Sequence, residues 1–164
     1  MYDSPEELPA SKPEAYRLLA AQLAGLLEGE RDLVANAANF SALLYHTLPG
    51  LNWAGLYFHK GGELVLGPFQ GKPACVRIAL GSGVCGTAAE LRRTVVVENV
   101  HEFPGHIACD TASNSEVVVP LLRGGRLVGV LDLDSPSLAR FDAEDREGLE
   151  RLAEIFLDST DVDE

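Results

Sequence analysis

The chain has 164 residues, 46% hydrophobic and 23% charged, which suits one globular domain with a proper core and excludes a disordered chain. Thirteen basic residues stand against 25 acidic ones, and the resulting net charge of −12 argues against nucleic acid or an anionic membrane surface as partner. No apolar run approaches the length of a membrane span. The acidic N-terminus lacks the basic and apolar parts of a signal peptide, so the expected location is cytoplasmic.

In chain order, residues 1–9 read as an acidic extension and residues 10–160 as a single domain. Ser11-Lys12-Pro13-Glu14 has the form of a capping box with proline in the first turn, opening a helix that runs to Leu27. A second helix is predicted over 32–47, with Leu33, Ala37, Phe40 and Leu44 on one face, ended by Pro49-Gly50. Strands follow over 53–59 and 63–69 around Gly61-Gly62, then a short one over 77–80. The glycine-rich segment 81–87 opens a short helix to Leu91, and 94–98 is a β-branched strand. Residues 99–114 read as a long loop, of the kind that is often functional. Strands over 116–122 and 126–134 form a hairpin across Gly124-Gly125. A last helix covers about 142–158, with Leu149, Leu152, Ile155 and Phe156 inward. This order predicts an α+β fold: a central antiparallel sheet of about six strands with helices packed on one face.

The chemistry-bearing residues are three cysteines and three acids. Cys75, Cys85 and Cys109 are an odd number, which argues against a closed structural disulfide framework. No Cys-x-x-Cys pair is present, so neither a zinc site nor any other cofactor is expected. The glycines of 81–86 lack the P-loop lysine and the dinucleotide fingerprint, and fit packing or a backbone-amide nest better than phosphate binding. Asp132 and Asp134 are two apart on a predicted strand and face the same way. Whether Glu116 joins them depends on the hairpin. A strict two-residue turn sets Arg123 against Arg126 and carries Glu116 opposite Leu133, on the wrong face. One extra residue, in a longer loop or a bulge, carries Glu116 opposite Asp134. The irregular register is the prediction, because three convergent acids require it.

The stretches Asn52-Trp53-Ala54-Gly55, Gly67-Pro68-Phe69-Gln70-Gly71-Lys72, Ala74-Cys75-Val76-Arg77-Ile78, Gly83-Val84-Cys85-Gly86-Thr87, His106-Ile107-Ala108-Cys109-Asp110 and Ser113-Asn114-Ser115-Glu116 carry a resemblance. Together with Gly129-Val130-Leu131-Asp132-Leu133-Asp134-Ser135 before the last helix, they resemble a GAF domain, and more narrowly the free methionine-(R)-sulfoxide reductases. The resemblance implies that Cys109 is the attacking cysteine, that Cys75 closes a disulfide with it, and that Cys85 is an auxiliary thiol able to join the exchange. It implies that Glu116, Asp132 and Asp134 form an acidic substrate pocket with Trp53 and Tyr57 as its aromatic wall. It further implies a cytoplasmic homodimer acting on free methionine sulfoxide and recycled by a thioredoxin-like reductant.

That chemistry is coherent. Attack at a sulfoxide sulfur needs a soft nucleophile on one side and a proton donor on the other, because the oxygen must leave with protons. Crowded carboxyls keep one proton near neutral pH. The resulting sulfenic acid condenses with a nearby thiol, and an external dithiol resets the pair. The same acids suit the ammonium group of a free amino acid, which a peptide-linked residue lacks. An acidic pocket also disfavours a thiolate. Either Cys109 gains a compensating donor, or its proton leaves only as the sulfoxide gains one.

Residue type alone supports blander readings. Cys85 reads equally as a small buried hydrophobe, Trp53 as core, Glu116 as surface, and His101 and His106 as structural loop histidines. The rival reading for the whole chain is a non-enzymatic GAF sensor that binds a small molecule or responds to oxidation. A dimeric scaffold without chemistry would leave the thiols and acids unexplained.

Overall fold

The hairpin 115–135 sets the geometry of everything around it. In the computed structural model, which describes residues 7–106 and 111–162, β5 (Ser115–Arg123) and β6 (Arg126–Ser135) flank a tight turn. Gly124 and Gly125 both take positive φ there, 58° and 79°, the conformation a two-residue hairpin needs. Arg123 faces Arg126 and Leu122 faces Leu127, but Leu121 faces Gly129. Val128 is thus an extra residue on β6, a β-bulge, and beyond it the register moves by one. Glu116 then lies opposite Asp134, as the convergence of the acids requires.

Four further strands complete the sheet: β1 (Trp53–Lys60), β2 (Glu63–Gly71), β3 (Arg77–Ala79) and β4 (Val95–Val97). The described residues form a six-stranded antiparallel sheet in the order β3-β2-β1-β6-β5-β4. β1 and β6 are central and buried along nearly their whole length, because both faces of the sheet are covered.

Three helices, α1 (Lys12–Leu27), α2 (Leu33–Thr47) and α4 (Ala143–Asp158), pack on one face. Their Leu19, Leu23, Phe40, Leu44, Leu149, Leu152 and Phe156 meet Leu56, Val117, Val119, Leu131 and Leu133 from the sheet. The short helix α3 (Gly83–Leu91) differs from its longer companions and lies on the opposite face. Its Val84, Cys85, Ala88 and Ala89 pack over Trp53, Tyr57, Val118 and Val130. No described helix is long and apolar enough to cross a membrane.

Two helix starts depart from expectation. Ser11 is the N-cap of α1, but its side chain makes no capping bond, so the expected capping box does not form. Pro13 removes one of the amides such a cap would satisfy. Lys12 instead reaches across to Asp142 and Asp145 at 2.8 and 2.7 Å, and Tyr16 donates to the buried Asp145 at 2.7 Å. The capping box is on α4, where Asp142 and Asp145 satisfy each other's backbone amides. The predicted loop 99–114 contains a 3-10 turn, Val100–Glu102, capped by Asn99.

Candidate active site

The second face of the sheet carries the chemistry. Alternation on β1, β6 and β5 lays out a grid of side chains. Trp53 pairs with Asp134, and Asp134 with Glu116, giving one row across three strands. Gly55 pairs with Asp132 and Asp132 with Val118 in the next row, and Tyr57 pairs with Val130 in the third. The bulge at Val128 is what brings Glu116 into this grid.

Gly55 leaves a gap in the second row that neighbouring rings fill. A Cβ there would stand 2.7 Å from Cη2 of Trp53 and 2.3 Å from Cβ of Phe69. The indole therefore folds down over the glycine, stacked between Phe69 at 5.2 Å and Tyr57 at 6.0 Å between ring centres. Its Nε1 donates to the Lys72 carbonyl at 3.1 Å, which fixes the ring. Tyr57 donates its hydroxyl to the Cys75 carbonyl at 2.8 Å and so tethers the loop that bears that cysteine. Burial and the nearby acids push the Tyr57 phenol far up, so it stays a neutral donor.

Glu116 and Asp132 are 7% and 5% exposed, burial that carboxyls tolerate only with partners or protons. They are hydrogen-bonded to each other, which two carboxyls can do only if one carries a proton. Burial, then the charges of Asp132 and Asp134, raise Glu116 well above the usual carboxyl range. Burial raises Asp132 as well, opposed by hydrogen bonds from Glu116 and Cys85. One Asp132 oxygen, Oδ1, is buried with no hydrogen-bond partner. Cys85 hangs over the pair from the first turn of α3, its thiol 4.0 Å from Glu116 Oε2. Burial and the surrounding acids hold it firmly protonated, so in this setting Cys85 is a donor rather than a nucleophile.

These groups line a single cleft, about 560 Å³ counting the solvent at its mouth. Trp53, Tyr57, Cys85, Glu116, Asp132 and Asp134, six of the eight residues singled out from the sequence, share its wall. Cys75 packs at the edge of the same cluster and is engaged in a disulfide, whereas Cys85 is a free thiol. Cys109 lies outside the described residues. Lys72, Ser82 and Ser113, which the sequence did not single out, also line the cleft, as does His106, which reads from sequence as a structural loop histidine. They come from three connections, after β2, before α3 and between β4 and β5, and no local periodicity marks them. His106 stands with its ring 6.4 Å from that of His101, and burial, then His101, holds it below the usual histidine range.

A buried acid pair that keeps a proton, beside an aromatic wall and within a cysteine-bearing loop system, defines a small-molecule site on a GAF scaffold. Residues 31–156 match the GAF domain family. The free methionine-R-sulfoxide reductase of Escherichia coli K12 is 51% identical over 142 residues, covering 87% of this chain and 86% of that protein. Its counterpart from Saccharomyces cerevisiae is 43% identical, covering 89% and 86%. The X-ray structure of free methionine-R-sulfoxide reductase from Neisseria meningitidis in complex with its substrate superposes with a TM-score of 0.91 at 42% identity, over 96% of this chain and 95% of that one. The chain therefore belongs to the GAF domain family and, within it, to the free methionine-(R)-sulfoxide reductases.

Proposed function

We propose that the protein reduces free L-methionine (R)-S-oxide to L-methionine in the cytoplasm, through Cys109 and a disulfide with Cys75. The observation that carries the reading is the buried carboxyl pair, Glu116 and Asp132, on the floor of an aromatic-walled cleft, where burial pushes both above the usual carboxyl range. The sulfoxide oxygen accepts the Glu116 proton while the Cys109 sulfur attacks the sulfoxide sulfur. The S–O bond of the substrate breaks as its oxygen passes to the Cys109 sulfur as hydroxyl, the transient bond between the two sulfurs breaks, methionine leaves as the thioether, and Cys109 is left as a sulfenic acid. The Cys75 thiol then displaces its oxygen as water and closes the disulfide. Overall, one sulfoxide and two thiols become one thioether, one disulfide and one water.

The remaining groups have matching tasks. Trp53 takes the methyl group against its face, and Asp134, beside it in the grid, takes the ammonium group. A peptide-linked substrate lacks that ammonium group, which supports a preference for the free amino acid. The disulfide engagement of Cys75 and the free state of Cys85 support the Cys75–Cys109 pairing, with Cys85 as a donor that can join the exchange only once its proton is taken. A thioredoxin-like dithiol resets the pair, and the working unit is a homodimer.

Single-turnover reduction tests the reading. The fully reduced wild type, without added reductant, is given the (R)- or the (S)-sulfoxide, and methionine and remaining thiols are counted. One methionine per chain from the (R) form, with two thiols lost, is the expected result, and Cys109→Ser makes none. A wild type that makes no methionine and keeps all three of its thiols overturns the enzyme in favour of a sensor.

A further inference from the structure

The floor of the cleft combines one soft and two hard donors. Cys85 Sγ and one oxygen each from Glu116 and Asp132 lie within 4.8 Å of one another. All three residues are buried, and they come from α3, β5 and β6, elements anchored in the sheet and its cover. The 4.0 Å between Cys85 Sγ and Glu116 Oε2 is close to the ~3.5 Å edge that zinc bonds of about 2.3 Å to sulfur and 2.0 Å to oxygen would span. A second observation points to a missing partner. Asp132 Oδ1, on a residue 5% exposed that lines the same cleft, is buried without a hydrogen-bond partner.

We propose that Cys85, Glu116 and Asp132 bind one thiophilic divalent cation, represented by Zn2+, and that the bound cation shuts the sulfoxide out of the cleft. One thiolate and two carboxylates supply three ligands, and the fourth position opens toward the cleft, where water can sit. The cation takes the place of the protons on the buried acids and thiol and gives Asp132 Oδ1 a partner. The sulfur selects Zn2+, Co2+ or Cd2+ over Mg2+ or Ca2+, which prefer oxygen alone. Because the cation occupies Glu116 and Asp132, it removes the proton donor from the reaction. The exclusion half of the proposal rests on the function proposed above, and the binding half does not.

The test is a Co2+ titration of the full chain, reading the sulfur-to-cobalt charge-transfer absorption, followed by displacement with Zn2+. Wild type is compared with Cys75→Ser/Cys109→Ser, in which Cys85 is the sole thiol, and with Cys85→Ala. One Co2+ per chain with the band in wild type and double variant, lost in Cys85→Ala and weakened at least tenfold in Asp132→Asn, is the expected result. Circular dichroism of each variant establishes that it is folded. No band in either cysteine-retaining protein overturns the site, as does a band that survives Cys85→Ala and vanishes with the other two cysteines. Methionine formation is measured on the same wild-type sample with and without Zn2+. Inhibition relieved by excess sulfoxide is expected, and full turnover with the cation bound overturns the exclusion. A cobalt band without any turnover refutes the reductase while the metal site stands, and turnover without a band does the reverse.

Discussion

The two faces of the sheet are built from alternate residues of the same strands, yet they obey different rules. On β6, Leu131 and Leu133 point under α1, α2 and α4 and are completely buried in apolar contact. Asp132 and Asp134, between and beside them, point under α3 into the cleft. The first face is close-packed, so its cost of alteration is a cavity. The second face buries charge-bearing groups, which opposes folding and raises Glu116 and Asp132 above the usual carboxyl range. The lesson is that stability and chemistry can be separated by a one-residue step along a strand, provided one bulge sets the register.

The largest expected break in that comparison is Glu116→Gln. It removes the proposed acid, and turnover of the (R)-sulfoxide falls by about 10²–10⁴-fold, roughly 3–5 kcal/mol of barrier. The same substitution stabilises the fold. Glu116 is raised well above its ordinary value of 4.5, so between that value and its raised native one the folded chain holds a proton that the unfolded chain has lost. Stability contributed by this group is therefore full below the unfolded value and declines as pH rises through the window. Glu116→Gln removes the decline, and a melting temperature higher by about 2–8 °C near pH 7.5 is expected. The gain shrinks toward zero at acidic pH, and thermal melts across pH measure it. A variant less stable than wild type at every pH would refute the protonated-acid description.

Leu133→Ala acts on the other face and has the opposite sign. Loss of a fully buried leucine costs about 2–5 kcal/mol, read from urea unfolding. A cost below about 1 kcal/mol would mean that the helix-covered face is not the main core. Gly55→Ala has the smallest effect and sharpens the description of the cleft. The added methyl meets the Cβ and backbone Cα of Phe69 on the paired strand as well as Trp53, so the strand shifts along with the indole, at a cost of about 3 kcal/mol. Steady-state kinetics with a dithiol reductant should show KM for the sulfoxide raised by about tenfold, with kcat less affected. A change in kcat alone would remove Trp53 from the binding wall.

Much of the site was legible because strands have a period of two. Asp132 and Asp134 had to share a face, and Glu116 could join them only through an irregular hairpin. What could not be read was where the extra residue sits: Gly124-Gly125 makes the strict turn, and Val128 carries the irregularity. Ser11 to Glu14 had the letters of a capping box, but Lys12 is drawn to acids 130 or more residues away. The true box at Asp142 uses Asp145 where the familiar pattern has a glutamate or glutamine. Lys72, Ser82, His106 and Ser113 reach the cleft from loops, whose positions are set by the elements they join rather than by their own sequence.

By itself the sequence determined the element order, the apolar face of each helix, the shared face of the β6 acids and the family resemblance. All of these depend on backbone periodicity or on ordered local motifs, which are written in adjacent residues. Only the tertiary structure decided that α3 crosses to the second face, that Cys85 hangs over Glu116, and that Glu116 and Asp132 are buried together and raised above the usual carboxyl range. Those outcomes depend on burial and on distances between groups brought together from α3, β5 and β6. The cost of a buried charge is set by surroundings that no short stretch of chain contains.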